Sequence, residues 1–576
     1  MKLKTVAAIV MLALGAQAME SISLDGLWDF KFHDDCKPEK MPKEYIPDDK
    51  MPVPGCFDIM PNYYAKRGIA RYRRTFTLEK DVLNAFLKIK GMGVRGTFWI
   101  DGREIGFSKL AYSTLEFETG ALKKGEHVVE AAINNRLFGS DTELFQPFYD
   151  FFASGGFYHG VELKLQKYPV ELDRVLVRTR DYKTGLVELE LDFKGRAPAQ
   201  SLEALVSFDG GAAKKVVFKN SRAKLTVPSF RLWSPESPNL HRVEVVPAGA
   251  MGRAKARFGI RSFTCAKGKF WLNGKPVFLK GVNRHDTDHE NCYATTIQSI
   301  WRDIMLIKGL GCNFVRSVHY TPSDEFLTLC DEAGILVWQE ALGWGNWPSQ
   351  MGNEEFVRMQ VEQAKLMARN SLNHPCAVID AFLNEFVSSS VEGKALADKL
   401  IAALRSEDTG RPISFAASKN TTDICNENTD FVAFNIYPSW HQEIGSGTTS
   451  QSLTATMKRR FAEVTKCFRD RYPDKPIMIG ETGCYSFYGH HDPAAAQWSE
   501  EFQAEYLQNS LEFAFDSKDI SGIAIWQFAD ARTYRRGGSD IRTKPLGMNM
   551  AGLFDSLRRE KLAAKKARSF YTGRSK

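Results

Sequence analysis

Ala377-Val-Ile-Asp-Ala-Phe-Leu-Asn-Glu385 and Lys475-Pro-Ile-Met-Ile-Gly-Glu481 are two apolar runs, each ending in an acid. Such a short continuous apolar run, bounded here by Pro375 and Pro476, reads as a parallel strand buried on both faces. The terminal acid then points out of the core into the cleft made by the loops. Working outward from these two, the rhythm of apolar strand, loop and amphipathic helix recurs through the chain after residue 264. Strands are expected at 277–283, 313–319, 335–340, 377–384, 413–417, 431–437, 476–481 and 520–528. Eight βα units over residues 264–576 predict a closed (β/α)8 barrel, a fold whose chemistry sits at the C-terminal ends of its strands. Glu385 would end the fourth strand and Glu481 the seventh, which sets them across the barrel mouth.

Upstream the pattern is different. Residues 19–168 carry short alternating runs cut by turns, such as Arg71-Tyr-Arg-Arg-Thr-Phe-Thr-Leu78 and Gly96-Thr-Phe-Trp-Ile-Asp-Gly102, and predict a β-sandwich. Residues 169–263 continue in this style, with Leu186-Val-Glu-Leu-Glu-Leu191 and His241-Arg-Val-Glu-Val-Val246, over the length of a small immunoglobulin-like sandwich. Residues 1–18 combine Lys2 and Lys4, an apolar stretch and Ala16-Gln-Ala18, the parts of a secretory signal cleaved after Ala18. The expectation is an exported protein, periplasmic or secreted, with no membrane span.

Composition removes several classes. The chain has 576 residues, 43% of them hydrophobic, enough for several cores. Its formal net charge of +8 is concentrated near the end, where residues 556–576 hold a surplus of seven basic groups. That pattern fits a solvated helix face, and no nucleic-acid partner is expected. The ten cysteines include no CxxC pair, which removes the usual metal and redox motifs. Cys312, Cys376 and Cys484 are expected as buried small hydrophobes, and Cys36 with Cys56 as the bridge if one forms.

Two carboxyl groups facing one bond suit hydrolysis of a sugar acetal: one protonates the leaving oxygen and the other stabilises or captures the anomeric carbon. Glu340, at the end of the third strand, is a third candidate. Asn384 beside Glu385 offers an amide to a hydroxyl, and Gly480-Glu-Thr-Gly483 lets a ligand approach closely. The loop Asn283-Arg-His-Asp-Thr-Asp-His-Glu290 is dense in His and acids, but it completes neither a zinc nor a hard-cation pattern, so hydrogen-bonding roles are expected and no metal. Arg316, His319 and Tyr320 make the same end polar. Trp344, Trp347, Trp440 and Trp526 offer flat faces to a sugar or, for Trp526 equally, to the core. Ser486 with His490, His491 and Asp492 lacks the strand-turn-helix elbow of a serine nucleophile.

At these residues the chain resembles family 2 glycoside hydrolases, the group of β-galactosidases, β-glucuronidases and β-mannosidases. The ordered motifs are Gly281-Val-Asn-Arg-His285, Asn313-Phe-Val-Arg-Ser-Val-His-Tyr320, Asn373-His-Pro375, Asn384-Glu385, Phe434-Asn-Ile-Tyr-Pro438, Gly480-Glu481 and Trp526-Gln-Phe-Ala-Asp530. The resemblance implies a jelly-roll sandwich, an immunoglobulin-like sandwich and a TIM barrel. It also implies Glu385 as acid/base and Glu481 as nucleophile of a retaining double displacement. Asn384 would hold the sugar 2-hydroxyl and Tyr437 would contact the nucleophile, while His285, His319 and Trp526 would line the subsite. Asp150, in Tyr149-Asp-Phe-Phe-Ala-Ser-Gly-Gly156, would be an acid supplied by the first sandwich. No cofactor is implied.

The overall likeness, including Trp498-Ser-Glu-Glu-Phe-Gln503, leans to β-glucuronidases, which carry Asn-x-Lys after strand eight to bind the sugar carboxylate. Here Gly547-Met-Asn-Met-Ala-Gly552 keeps Asn549 but puts Ala551 in place of the lysine. A lost charge-assisted bond costs roughly 1–3 kcal/mol, which tips the expectation to a terminal β-D-galactoside. A β-glucuronide is the alternative, with Arg542 or Lys544 as the replacement cation. A carbohydrate-binding relative without catalysis is the reading from another class. Beyond the carbohydrate, a homo-oligomer is compatible with the sequence.

Overall fold

The structure, a computed structural model, describes residues 19–34, 45–137, 149–196, 200–438, 450–534 and 544–574. The expected export signal, Cys36, Trp440 and Arg542 lie outside the described residues. The chain falls into two compact units. One comprises residues up to Arg136, Ser154–Ser262 and Asn370–Pro375; the other comprises Leu137–Ala153, Phe263–Arg369 and Cys376 onward.

The first unit is antiparallel β-structure. A six-stranded sheet runs in the order Asp49–Val53, Gly26–His33, Ile69–Leu78, Gly125–Asn134, Arg95–Ile100, Arg103–Ser108, and a four-stranded sheet holds Glu20–Ser23, Val161–Gln166, Val82–Ile89 and Leu115–Leu122. Alternation explains the burial: Ala70, Tyr72, Phe76 and Leu78 of one strand turn inward while Thr75 and Thr77 face solvent. Aromatic rings fill the core, with Tyr72 5.1 Å from both Phe30 and Phe157. The seven strands from Val170–Asp181 to Ala254–Phe258 form the immunoglobulin-like sandwich around Leu172, Val175, Val187, Leu189, Val243 and Val245. The Asn373-His-Pro motif belongs to this unit, because the Asn373 side chain accepts from Val177 N and donates to Val175 O, both at 2.8 Å.

The second unit is built on the barrel. Its parallel strands are Leu279–Arg284, Phe314–Ser317, Leu336–Glu340, Ala377–Ala381, Ile413–Ser414 with Ala416–Ala417, Val432–Asn435, Ile477–Thr482 and Ile520–Ile525. The two pieces of the fifth strand stand at opposite ends of the sheet order, so the ring closes through them. Nearly every residue of these strands is buried on both faces, which is why each read as an uninterrupted apolar run. Between them run helices whose N-termini are capped by Thr296, Ser323, Ser390 and Ser499, each side-chain oxygen accepting an N–H of the first turn.

Two details differ from the sequence reading. The last strand ends at Ile525, so Trp526 follows the strand instead of lying within it. Leu137 and residues 149–153, which carry Asp150, group with the barrel unit and not with the first sandwich. That grouping has a local cause, since Phe151 packs 5.5 Å from His285 and 5.2 Å from Tyr320, ring centre to ring centre. The catalytic-end motifs thus pull in a segment that pattern alone assigns elsewhere. Cys312, Cys376 and Cys484 are buried thiols as expected, and the Cys376 Sγ donates to Leu327 O. No helix among the described residues is long and apolar enough to cross a membrane.

Candidate active site

Glu385 and Glu481 belong to one hydrogen-bonded network at the C-terminal ends of the strands. Arg316, wholly buried, donates through Nη1 to Glu481 Oε1 at 2.5 Å and through Nη2 to Asn384 Oδ1 at 2.8 Å. Asn435 Nδ2 then donates to Asn384 Oδ1 at 3.1 Å and to Glu385 Oε1 at 2.8 Å. Tyr437 OH donates to the other oxygen of Glu481 at 2.5 Å. Charged bonds of this kind fix a carboxylate's orientation.

The acids differ in what surrounds them. Burial, and then the negative charge of Glu481, push the Glu385 carboxyl up from 4.5 to about 7, against the opposing effect of the Asn435 bond. Such a group still holds its proton in a large fraction of molecules near neutral pH, whereas Glu481 receives two donors, one of them a guanidinium. Burial followed by the charges of Glu481 and Glu385 also drives the Tyr437 hydroxyl well above its ordinary range, so it stays a donor. A carboxyl with a raised pKa beside one bound by a guanidinium and a phenol hydroxyl is an arrangement suited to the two roles in acetal cleavage.

Backbone conformation sets the pair's placement. Leu383 and Glu385 adopt φ of 42° and 53°, a left-handed region costly for residues with a side chain. Asn384 N bonds Gly343 O, Glu385 N bonds Ala416 O, and Gly345 N bonds Asn384 O, so neighbouring strands and the loop after strand three hold the twist. Gly480 permits the close approach of Asn435: a Cβ there would stand 2.8 Å from Asn435 Oδ1. Gly480→Ala is therefore expected to displace the amide that bonds Glu385, lowering kcat by about tenfold, the scale of one lost hydrogen bond to a charged group. Because that bond lowers the Glu385 pKa, the alkaline limb of the pH–rate profile should also move to higher pH.

The remaining sequence-nominated residues gather nearby. His319 stacks on Trp526 at 5.4 Å with 16° between planes, and His285 meets the Trp526 edge at 5.7 Å. Tyr320 OH lies 3.1 Å from His285 Nδ1. Burial, then the charges of His319 and Lys544, depress the His285 pKa, which leaves a neutral imidazole. Asp150 is ion-paired with Lys544, and its charge raises both Glu385 and Tyr437. Asn549 Oδ1 accepts from Ala551 N at 3.3 Å, while its Nδ2, like that of Asn384, is buried with no hydrogen-bond partner.

Other candidates take structural roles. Glu340 is bound by Arg316 at 2.7 Å and His319 at 3.2 Å; burial works against its charge, but the Arg316 guanidinium and the His319 hydrogen bond hold its carboxyl below the ordinary range. It anchors Arg316 and cannot serve as the neutral acid. In the loop after strand one, Asp286 accepts from Arg284, Thr295 and Ser323, and Asp288 from Asn291. Ser486 donates to Gln503 and His491 pairs with Glu501, so no serine triad assembles. Trp526 is buried, 2% exposed, against Val318, Tyr485 and Ala551, whereas Trp347 is 56% exposed. Asn435 carried no assigned role in the sequence, although a polar residue closing an apolar strand was the available signal.

Comparison with known proteins agrees with this geometry. Residues 263–574 match the family model for the TIM barrel domain of glycosyl hydrolases family 2. The β-glucuronidase of Rattus norvegicus is 27% identical across 94% of this chain and 89% of its own length, and that of Sus scrofa is 28% identical across 95% and 90%. Among solved structures, the β-galacturonidase of Eisenbergiella tayi bound to galacturonate superposes with a TM-score of 0.86 at 27% identity, covering 97% of this chain and 98% of the other. A three-part fold of two β-sandwiches and a closed barrel, with the barrel model matched over residues 263–574, places the chain in glycosyl hydrolases family 2, as a glycoside hydrolase.

Proposed function

We propose that the protein is a retaining exo-β-glycosidase that removes a terminal β-linked hexuronic acid. The observation that carries the mechanism is the coupled pair: Glu385 held protonated to about pH 7 by burial and by the charge of Glu481. Glu481, aimed by Arg316 and Tyr437, attacks the anomeric carbon as Glu385 gives its proton to the departing oxygen. The glycosyl–Glu481 ester forms and the aglycone leaves as an alcohol. Glu385, now an anion, takes a proton from water, which attacks the same carbon from the vacated side and restores the original configuration. The Asn384 Nδ2, buried without an acceptor, is suited to the sugar 2-hydroxyl, where a bond strengthens as the ring flattens.

The choice of sugar departs from the galactoside expectation. The relatives that match along the whole chain are named for glucuronides and galacturonides, and a buried lysine stands at the site in its pair with Asp150. A neutral β-galactoside is the second reading, favoured by Ala551, which is wholly buried in an apolar cluster and brings no charge. A panel of 4-nitrophenyl β-D-glucuronide, galacturonide, galactoside and glucoside separates them. One of the two uronides is expected to exceed the galactoside in kcat/KM by about 10- to 100-fold, the value of a charge-assisted contact. A galactoside hydrolysed best would overturn the uronide reading. An α-anomer as the first product seen by NMR would overturn retention.

A further inference from the structure

A hexuronate differs from a neutral hexose by one carboxylate, and a carboxylate entering a water-poor site needs a cation and hydrogen-bond donors to replace its hydration. Among the described residues, the guanidinium groups nearest the catalytic acids are committed. Arg316 serves Glu340 and Glu481, and Arg284 serves Asp286 and Asp303. Position 551, where the resembling glucuronidases carry lysine, is an alanine packed against Val318, Tyr485 and Trp526. The Lys544 side chain is 7% exposed and ion-paired with Asp150.

The local backbone brings Lys544 and Asn549 to one patch. Gly547 N bonds back to Lys544 O at 3.1 Å, making a tight turn in which Leu546 takes φ of 59°. The turn feeds the short strand Met548–Asn549, which pairs antiparallel with Ala531–Arg532, five residues beyond Trp526. Phe152 N bonds Arg532 O at 3.1 Å, which ties the segment carrying Asp150 to the same ribbon. The Asn549 amide is oriented by Ala551 N on its oxygen, and its Nδ2 is buried without an acceptor.

We propose that Lys544 reads the sugar carboxylate in this protein, having taken over the cationic role from position 551, with Asn549 Nδ2 as the second donor. Asp150 steers the ammonium, whose three donors allow it to serve a carboxylate of the protein and one of the ligand together. The electrostatic reach of the pair supports this placement, since Lys544 acts on His285 and Asp150 on Glu385. The inference rests on the uronide reading and specifies which residue produces it.

The test is the ratio of kcat/KM for the preferred 4-nitrophenyl uronide to that for the galactoside, measured on the full chain. Lys544→Met is expected to lower this ratio about 100-fold and Lys544→Arg, which keeps the charge, to leave it within about threefold. A merely structural lysine would lower both substrates together and leave the ratio unmoved. Arg532→Met, which removes the cation stacked on Phe152, is the matched control and should keep the ratio. Should Lys544→Met fail to fold, Lys544→Gln and the relative inhibition by galacturonate and galactose supply the same comparison. A wild-type enzyme with no uronide preference defeats the sugar assignment itself; a wild-type preference that survives in Lys544→Met defeats this inference alone.

Discussion

Glu481→Ala is expected to lower kcat for an aryl glycoside by about 10⁴-fold or more, the loss that follows if the proposed covalent mechanism is deprived of its nucleophile. The variant should still fold. Arg316, which loses Glu481 as a partner, keeps Glu340 at 2.7 Å and the Asn384 and Asn283 oxygens at 2.8 and 3.0 Å, so no buried charge is orphaned. The space vacated lies against the face of the anomeric carbon opposite the leaving group. A small anion such as azide entering it should restore turnover and yield the α-glycosyl azide, inverted relative to substrate. A second effect follows from the same coupling. Removing Glu481 removes the second cause of the raised Glu385 pKa, so the alkaline limb of the rescued reaction should move to lower pH. Full activity in Glu481→Ala, or rescue that returns a β-azide, would remove Glu481 from the role of nucleophile.

The barrel was legible because its strands are buried on both sides: Ile477–Thr482 and Ala377–Ala381 can be found from apolar runs alone, and a terminal acid on such a run has only the loop end to face. The site's partners were not legible to the same degree. Asn435 bonds Glu385 across 50 residues of sequence, and Lys544 meets Asp150 across 394, separations at which no periodicity carries information. The left-handed turns at Leu383 and Glu385 were equally hidden, since neither residue type announces positive φ. They arise from tertiary hydrogen bonds to Gly343 and Ala416. The placement of residues 149–153 with the barrel is a contact between aromatic and imidazole rings, invisible to an alternation that reads as sandwich. Local pattern therefore nominated the acids, and long-range bonding decided what surrounds each of them.

Glu385→Gln is expected to separate leaving groups. For a dinitrophenyl glycoside, whose phenolate leaves without protonation, kcat/KM should stay within about tenfold of wild type; for a methyl or unsubstituted phenyl glycoside it should fall by about 10²–10⁴-fold, the range of general acid catalysis. The pH dependence gives an independent readout. In the wild type the acid is competent while protonated, so kcat/KM declines above about pH 7, the position set by burial and Glu481. Glutamine cannot titrate, and that limb should vanish for the activated substrate. The same group contributes to stability with a definite sign. Its pKa is about 7 folded against 4.5 for the ordinary carboxyl, so between these values the folded protein binds the proton that the unfolded chain has released. This contribution is present in full below pH 4.5 and is lost as pH rises through about 7. The Tm of the wild type should thus fall relative to that of Glu385→Gln across this window. A pair of parallel Tm–pH curves, with equal losses on activated and unactivated leaving groups, would assign the proton donor to another residue.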